Sequence, residues 1–245
     1  PIANPSFARS VVPPALAIAA TVVIASLLAM IAGADPFAVL GLIIKGAFGT
    51  KFALLETLNR ATPLIFTGLA VAVAFRARFW NIGAEAQLYA GALVTVVLGT
   101  GALPWPGFAL IPTLALGAVL AGALVLLVPA ILKTRFGVDE VVTTLLLNFI
   151  FLLFISMLLA DARLPRMFEG LRLHWGFGLA ILCAVAVWVI QTRSTLGYEM
   201  RAVGLNRAAA AFAGIPVNRV LVKTALLSGG LAALAGFSEV AGLKG

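Results

Sequence analysis

The amino-acid sequence predicts an all-α fold, a polytopic transmembrane helix bundle of about seven spans with one short helix held outside the lipid on its cytoplasmic side. Three observations predict it. The 245 residues are 62% hydrophobic and only 11% charged, where a soluble domain carries roughly 25% charge; no globular core could hide that much apolar surface. The charge-free runs Ser10–Ala34 and Ala86–Leu132 exceed the roughly 20 residues that cross a bilayer as helix. Between the runs lie short basic turns, "FRARF" and "LKTRFG".

Taken in order, the first span lies near Ala15–Ala32, too long and poorly flanked for a cleaved signal peptide. Asp35–Lys51 is apolar but short and broken by glycine, and reads as an interfacial or re-entrant piece. The second span is about Leu54–Phe75, with Pro63 as a kink. "LPWPG" (Leu103–Gly107) splits Ala86–Leu132 into two spans joined by a tight turn. Val141–Ala160, Leu173–Thr192 and Val217–Ser238 complete the set. A chain that starts at Pro1 and stops at Gly245 is expected to be a piece of a longer protein.

Alternation places Arg9, Arg76, Arg78, Lys133, Arg135, Arg193, Arg201, Arg207, Arg219 and Lys223 on one side. The other side holds Lys45, Lys51, Arg60, Arg163, Arg166, Arg172 and Lys244, diluted by acids. Lys and Arg concentrate in cytoplasmic loops, so the first side is cytoplasmic and the N-terminus lies inside. Trp105 and Trp175 then fall at the outer interface, Trp80 and Trp188 near the inner one. The net charge of +8 reflects this loop bias, and no nucleic-acid partner is expected. One Cys (Cys183) and one His (His174) exclude a disulfide framework and argue against a metal site. His174 is expected to snorkel at the outer interface, and Cys183 to be an inert thiol. No cofactor is expected.

Polar residues inside the oil are the candidates for a translocation path. In "FWNIGAEAQLYAG", Asn81 suits a helix N-cap and Glu85 suits the positive end of the helix dipole. The alternative is a broken helix whose Asn81, Glu85 and Gln87 line a polar path, as transporters build their sites. In "GVDEVVTTLLLNF", Glu140, Thr144 and Asn148 recur at i, i+4, i+8 and form one stripe. That stripe is either interhelical hydrogen-bond glue or a pore lining. Ser228, Ala232 and Gly236 recur every four residues, a small-residue face for close packing.

Thr195–Val217 is polar, basic and punctuated by glycine, and is far longer than a usual connection of about 2–8 residues. Asn206 can cap a helix through "RAAAAFAG", with Gly214 as its stop. A helix that short is marginal alone, so something must hold it.

"GYEMRAVGLNRAAAAFAGIPV" resembles the cytoplasmic coupling segment of bacterial ABC importer permeases of the simple-sugar and nucleoside type, in the branched-chain amino acid/ribose permease superfamily. "RATPLIFTGLAVAVAFRARFWNIGAEAQ", "LKTRFGVDEVVTTLLLNFI" and "LSGGLAALAGFSEVAG" agree in order. The resemblance implies that residues 1–245 are a single transmembrane permease domain, cut short on the C-terminal side. It assigns coupling to an ATPase to Gly197, Arg201, Ala202, Gly204, Asn206, Ala209, Ala210, Gly214 and Ile215. It also implies a bacterial inner-membrane location and three protein partners: a cytoplasmic ATP-binding subunit, a second permease subunit and an extracytoplasmic substrate-binding protein. Ala86 stands where the family usually has Gly, Arg207 where Pro is common, and the Asp161–Arg172 loop looks short. The sequence holds no G-x-x-x-x-G-K-[ST] phosphate loop, so it is expected to be a transport subunit and not an enzyme. A secondary transporter would carry more intramembrane acids; that and a purely structural membrane subunit are the alternatives.

Overall fold

A computed structural model of the chain describes residues 7–102, 106–161 and 174–243. Among them there are helices and turns and no strand. The chain divides into two compact units, Pro1–Thr57 and Leu58–Gly245.

The first unit holds α1 (Phe7–Ile31), α2 (Pro36–Phe48) and the opening turns of α3 (Lys51–Arg76). Gly33, at φ 77°, turns the chain after α1. Asp35 then caps α2 by accepting from the Phe37 N–H at 3.0 Å, with Pro36 at the first helical position. At 13 residues α2 is apolar but too short to span.

The second unit continues α3 and adds α4 (Ala84–Val97), α5 (Gly107–Phe136), α6 (Glu140–Asp161), α7 (His174–Arg193), α8 (Thr195–Leu205), α9 (Arg207–Phe212) and α10 (Val217–Leu243). Across both units, six described helices are long and apolar enough to cross a membrane. The remaining expected span is α4, which runs only 14 residues before a π-helical turn at Leu98–Ala102. Its charge-free neighbourhood hides the point where the helix begins. Pro63 lies inside α3, as expected. The loop at 162–173, Trp105 and the side chains of His174 and Trp175 lie outside the described residues.

The centre of this unit is α10, with α4 and α5 packed against it. Small residues make that possible, because lipid supplies no hydrophobic force between helices and close van der Waals contact must hold them. A Cβ on Gly236 would sit 2.0 Å from the Leu88 carbonyl oxygen, and one on Gly122 2.2 Å from that of Gly229. Ser228 and Ala232 are fully buried on the same helix. The small-residue face of α10 is thus a helix-packing face, and Ser228 has a polar task besides.

Two apolar clusters fill the unit. One, with Val73, Phe79, Met200, Val203 and Val220, surrounds the basic end; the other, with Phe66, Leu114, Ala180 and Phe237, lies further along the helices. Gly137, at φ 70°, ends α5 in the left-handed conformation that glycine adopts without strain. The turn that carries Arg78, the end of α5 that carries Lys133, and the α8–α9 joint with Arg207 meet at one end of the bundle, where they line a cavity. That common end is what alternating spans require.

Candidate functional site

Between α3 and α4 the chain runs non-helical from Ala77 to Gly83. Outside a helix, buried backbone polar groups must find other partners. Here α6 supplies them. Glu140, Thr144 and Asn148 sit on successive turns of α6 and meet this stretch at intervals of three residues. Glu140 Oε1 accepts from the Trp80 N–H at a long 3.4 Å. The Gly83 backbone lies against Thr144, so closely that a Cβ there would be 2.5 Å from the Thr144 carbonyl oxygen. Asn148 Oδ1 accepts from the Ala86 N–H at 2.9 Å. The i, i+4, i+8 stripe therefore holds α6 to the entry of α4.

Asn81 does not cap α4. The N-cap is Gly83, which has no side-chain cap bond; the Ala86 N–H donates to the Gly83 carbonyl at 3.2 Å and to the Asn148 amide oxygen, 62 positions later, at 2.9 Å. Asn81 faces inward. Its amide nitrogen donates to Gln87 Oε1 at 2.8 Å and to Ser228 Oγ at 3.0 Å. Gln87 returns a bond to Asn81 Oδ1 at 3.1 Å and donates to the Gly83 carbonyl at 2.7 Å. Ser228 Oγ donates to the Ala70 carbonyl at 2.7 Å. Asn81 is 1% exposed and Gln87 0%, and each amide has found partners, as a buried amide must. This network ties α3, the turn, α4 and α10 together. Glu85 stands apart, exposed in the first turn of α4, while Asn148 is half-buried.

Glu140 is 2% exposed and ion-paired with Lys133 across the α5–α6 turn. A buried carboxylate needs such a partner to stay charged. Thr144 is fully buried and donates to the Glu140 carbonyl one turn back, at 2.7 Å.

The segment Thr195–Val217 is two helices with a sharp joint. Ser194 caps α8, accepting from the Gly197 N–H at 3.1 Å. Asn206, extended at φ −155°, caps α9, accepting from the Ala209 N–H at 3.0 Å, as its sequence position predicts. Gly214, at φ 81°, closes α9: its N–H donates to the Ala211 carbonyl and that of Ile215 to the Ala210 carbonyl, both at 3.0 Å. That pair of bonds is a Schellman stop. The first half of the segment, α8, was legible only as polar and helical.

What holds these short helices is close backbone contact. Gly197 abuts the last turn of α7, where a Cβ would meet the Ile190 carbonyl oxygen at 2.2 Å. Arg201 donates to the Gln191 carbonyl, a cation at the negative end of α7. A Cβ on Gly204 would lie 2.3 Å from the Arg76 carbonyl oxygen, so α8 rests on the end of α3. Arg207 donates to the Arg78 carbonyl at 2.9 Å. Ala210 is buried, and Ala202 and Ile215 pack on the same core. The apolar tips, in contrast, project freely: Leu205 is 74% and Phe212 96% exposed.

A cavity of about 720 Å³ lies between the α8–α9 joint and the two basic turns, lined among others by Arg78, Trp80, Lys133, Asp139, Glu140 and Arg207. Among the described residues no three His, Cys, Asp or Glu side chains are grouped as a metal would require. The features of this end are backbone contacts, helix caps and two exposed apolar tips.

The family model for the branched-chain amino acid transport system / permease component matches residues 53–245. The guanosine ABC transporter permease protein NupP of Bacillus subtilis (strain 168) is 38% identical over 215 residues, covering 80% of this chain and 62% of the relative. The glucose ABC transporter permease protein TsgB13 of Haloferax volcanii is 33% identical over 95% of this chain and 68% of the relative. The nucleoside ABC transporter permease protein NupB of Lactococcus lactis subsp. cremoris is 29% identical over 93% and 70%. The chain thus spans 62% to 70% of the length of these relatives. No solved structure matches. With four-fifths of its length inside the family model and an all-helical, multi-pass bundle beneath it, the chain belongs to the branched-chain amino acid transport system permease-component family.

Proposed function

We propose that this chain is the membrane-spanning permease subunit of an ATP-binding cassette importer for nucleosides or simple sugars, driven by a separate cytoplasmic ATPase that grips α8–α9. The observation that carries the reading is the contrast within one short segment. Its inner face is seated on α3 and α7 through Gly204 and Gly197, while Phe212 at its tip is 96% exposed. Aromatic side chains such as Phe are enriched at protein interfaces relative to the rest of the surface. The relatives named for guanosine, nucleosides and glucose supply the substrate class. The chain supplies no phosphate loop, so the energy is the partner's. A second permease subunit and an extracytoplasmic binding protein complete the assembly, and the N-terminus and the basic end face the cytosol of the bacterial inner membrane.

ATP binding favours one docking geometry, and the coupling helix converts that preference into a bias between inward-open and outward-open bundles. Shifting such an equilibrium from 1:99 to 99:1 needs about 5.5 kcal/mol, and a segment seated by backbone contact can transmit it without bending. Gly197, Arg201, Ala202, Gly204, Asn206, Ala209, Ala210, Gly214 and Ile215 form this handle. Glu85 and Asn148 flank the path at the α4 entry, with Asn81, Gln87, Glu140 and Thr144 fixing the backbone behind them.

The test is Phe212→Asp in the complete transporter. With so exposed a side chain, the fold is untouched. The ATPase should fail to co-purify and uptake should be lost, while membrane insertion stays normal. Retention of the ATPase at the wild-type level overturns the docking role.

A further inference from the structure

We propose that Arg207 is a positioning residue for transport: its guanidinium fastens the α8–α9 joint to the Ala77–Gly83 turn, so that a pull on α9 reaches the α4 entry directly and not only through α10. The proposal rests on the reading that an ATPase docks on this segment.

Three observations carry it. Arg207 Nη2 donates to the Arg78 carbonyl at 2.9 Å, and Arg78, at φ 49°, is the only non-glycine with positive φ among the described residues. Such a conformation persists only where the surroundings hold it. Gly204, three positions before Arg207, touches the Arg76 carbonyl backbone to backbone. One joint thus holds two neighbouring carbonyls, Arg76 and Arg78, where the chain leaves α3. Beyond Arg78 the chain has no slack. Trp80 N–H meets Glu140, Asn81 holds Gln87 and Ser228, and the Ala86 N–H is taken by Asn148. A displacement of Arg78 is therefore a displacement of the α4 start and of the α6 face that carries Asn148.

The chemistry suits a tether. A guanidinium bond to a carbonyl is charge-assisted and directional, and Arg207 is exposed. Its removal deletes a link without opening the core. Further along the same turn the Trp80 N–H donates to Glu140, itself held by Lys133, so the turn lies between the α8–α9 joint and α6.

The experiment uses the complete transporter, permease with its ATPase and binding protein, in proteoliposomes. Uptake and ATP hydrolysis are measured together. Arg207→Ala should keep the ATPase bound and hydrolysing, yet lower substrate moved per ATP by about fivefold to tenfold. Arg207→Lys retains one donor and should recover part of that ratio, which a surface residue of no consequence would not do. An unchanged ratio in Arg207→Ala overturns the proposal. So does loss of the ATPase from that variant, which would make Arg207 a docking contact. The two readings fail separately. An unchanged ratio in Arg207→Ala, with the ATPase lost from Phe212→Asp, removes only the tether. An ATPase retained by Phe212→Asp removes the docking reading and the tether with it.

Discussion

Replacing Gly204 by alanine adds one methyl group where the chain has no room. The new Cβ would stand 2.3 Å from the Arg76 carbonyl oxygen, where ordinary contact begins at 3.4 Å. The neighbour is backbone and cannot rotate away, so α8 must lift from α3 by about 1 Å. Over-packing of this kind costs about 1–3 kcal/mol. If the whole cost falls on the state in which the joint is seated, that state is depopulated about 5- to 150-fold, and ATP-driven uptake falls in proportion. The control is Gly68→Ala on α3, an identical change with nothing within 4 Å. A helix-interior glycine replaced in open space gains about 0.5–1 kcal/mol, so uptake should hold and the melting temperature should stay or rise. The assay pairs uptake by proteoliposomes with thermal unfolding of the detergent-purified permease. Wild-type uptake and an unshifted melting curve for Gly204→Ala would refute the claim that backbone contact seats the handle.

Two further outcomes test the polar residues around the start of α4. Asn81→Ala strips partners from Gln87 and Ser228 inside a buried network, at a cost of about 1–3 kcal/mol, and should lower the melting temperature by about 2–12 °C; no shift in thermal unfolding would mean that the network holds nothing together. Glu85→Gln removes one exposed charge at the α4 start. It should reduce uptake severalfold with less than about 1 kcal/mol lost from stability, whereas unchanged uptake returns Glu85 to the helix-dipole role alone.

The long spans were legible because lipid imposes a length and forbids charge, and both leave marks in a linear string. The stop of α9 was as plain, since Gly214 takes the positive φ that the chain needs there. The capping of α9 by Asn206 is a bond between residues three apart, so local sequence contains it whole. The start of α4 is different. Local logic picks Asn81, the nearest side chain with the right chemistry, but the N–H is satisfied by Asn148 from another helix. Nothing within reach of Asn81 in sequence records that. The polar stripe of α6 was visible as a period of four, yet its partners at Trp80, Gly83 and Ala86 are set by packing. In the sequence Arg207 is a basic residue of the exposed segment, standing where relatives commonly have Pro; its bond to the Arg78 carbonyl spans 129 positions. Contacts within one helical turn are written locally, and contacts between helices are not.

The central claim is that α9 is a handle on the cytosolic face, gripped by an ATPase. The most direct measurement is vectorial labelling at residue 212. Cys183 is the only cysteine of these 245 residues; Phe212→Cys is made with Cys183 and any cysteine elsewhere in the transporter replaced by alanine, so that one thiol reports. A membrane-impermeant maleimide should react with it in inverted vesicles, fail to react in intact cells, and be blocked when the ATPase is bound. Reaction from the outside of intact cells, or reaction undiminished by the bound ATPase, would contradict the account.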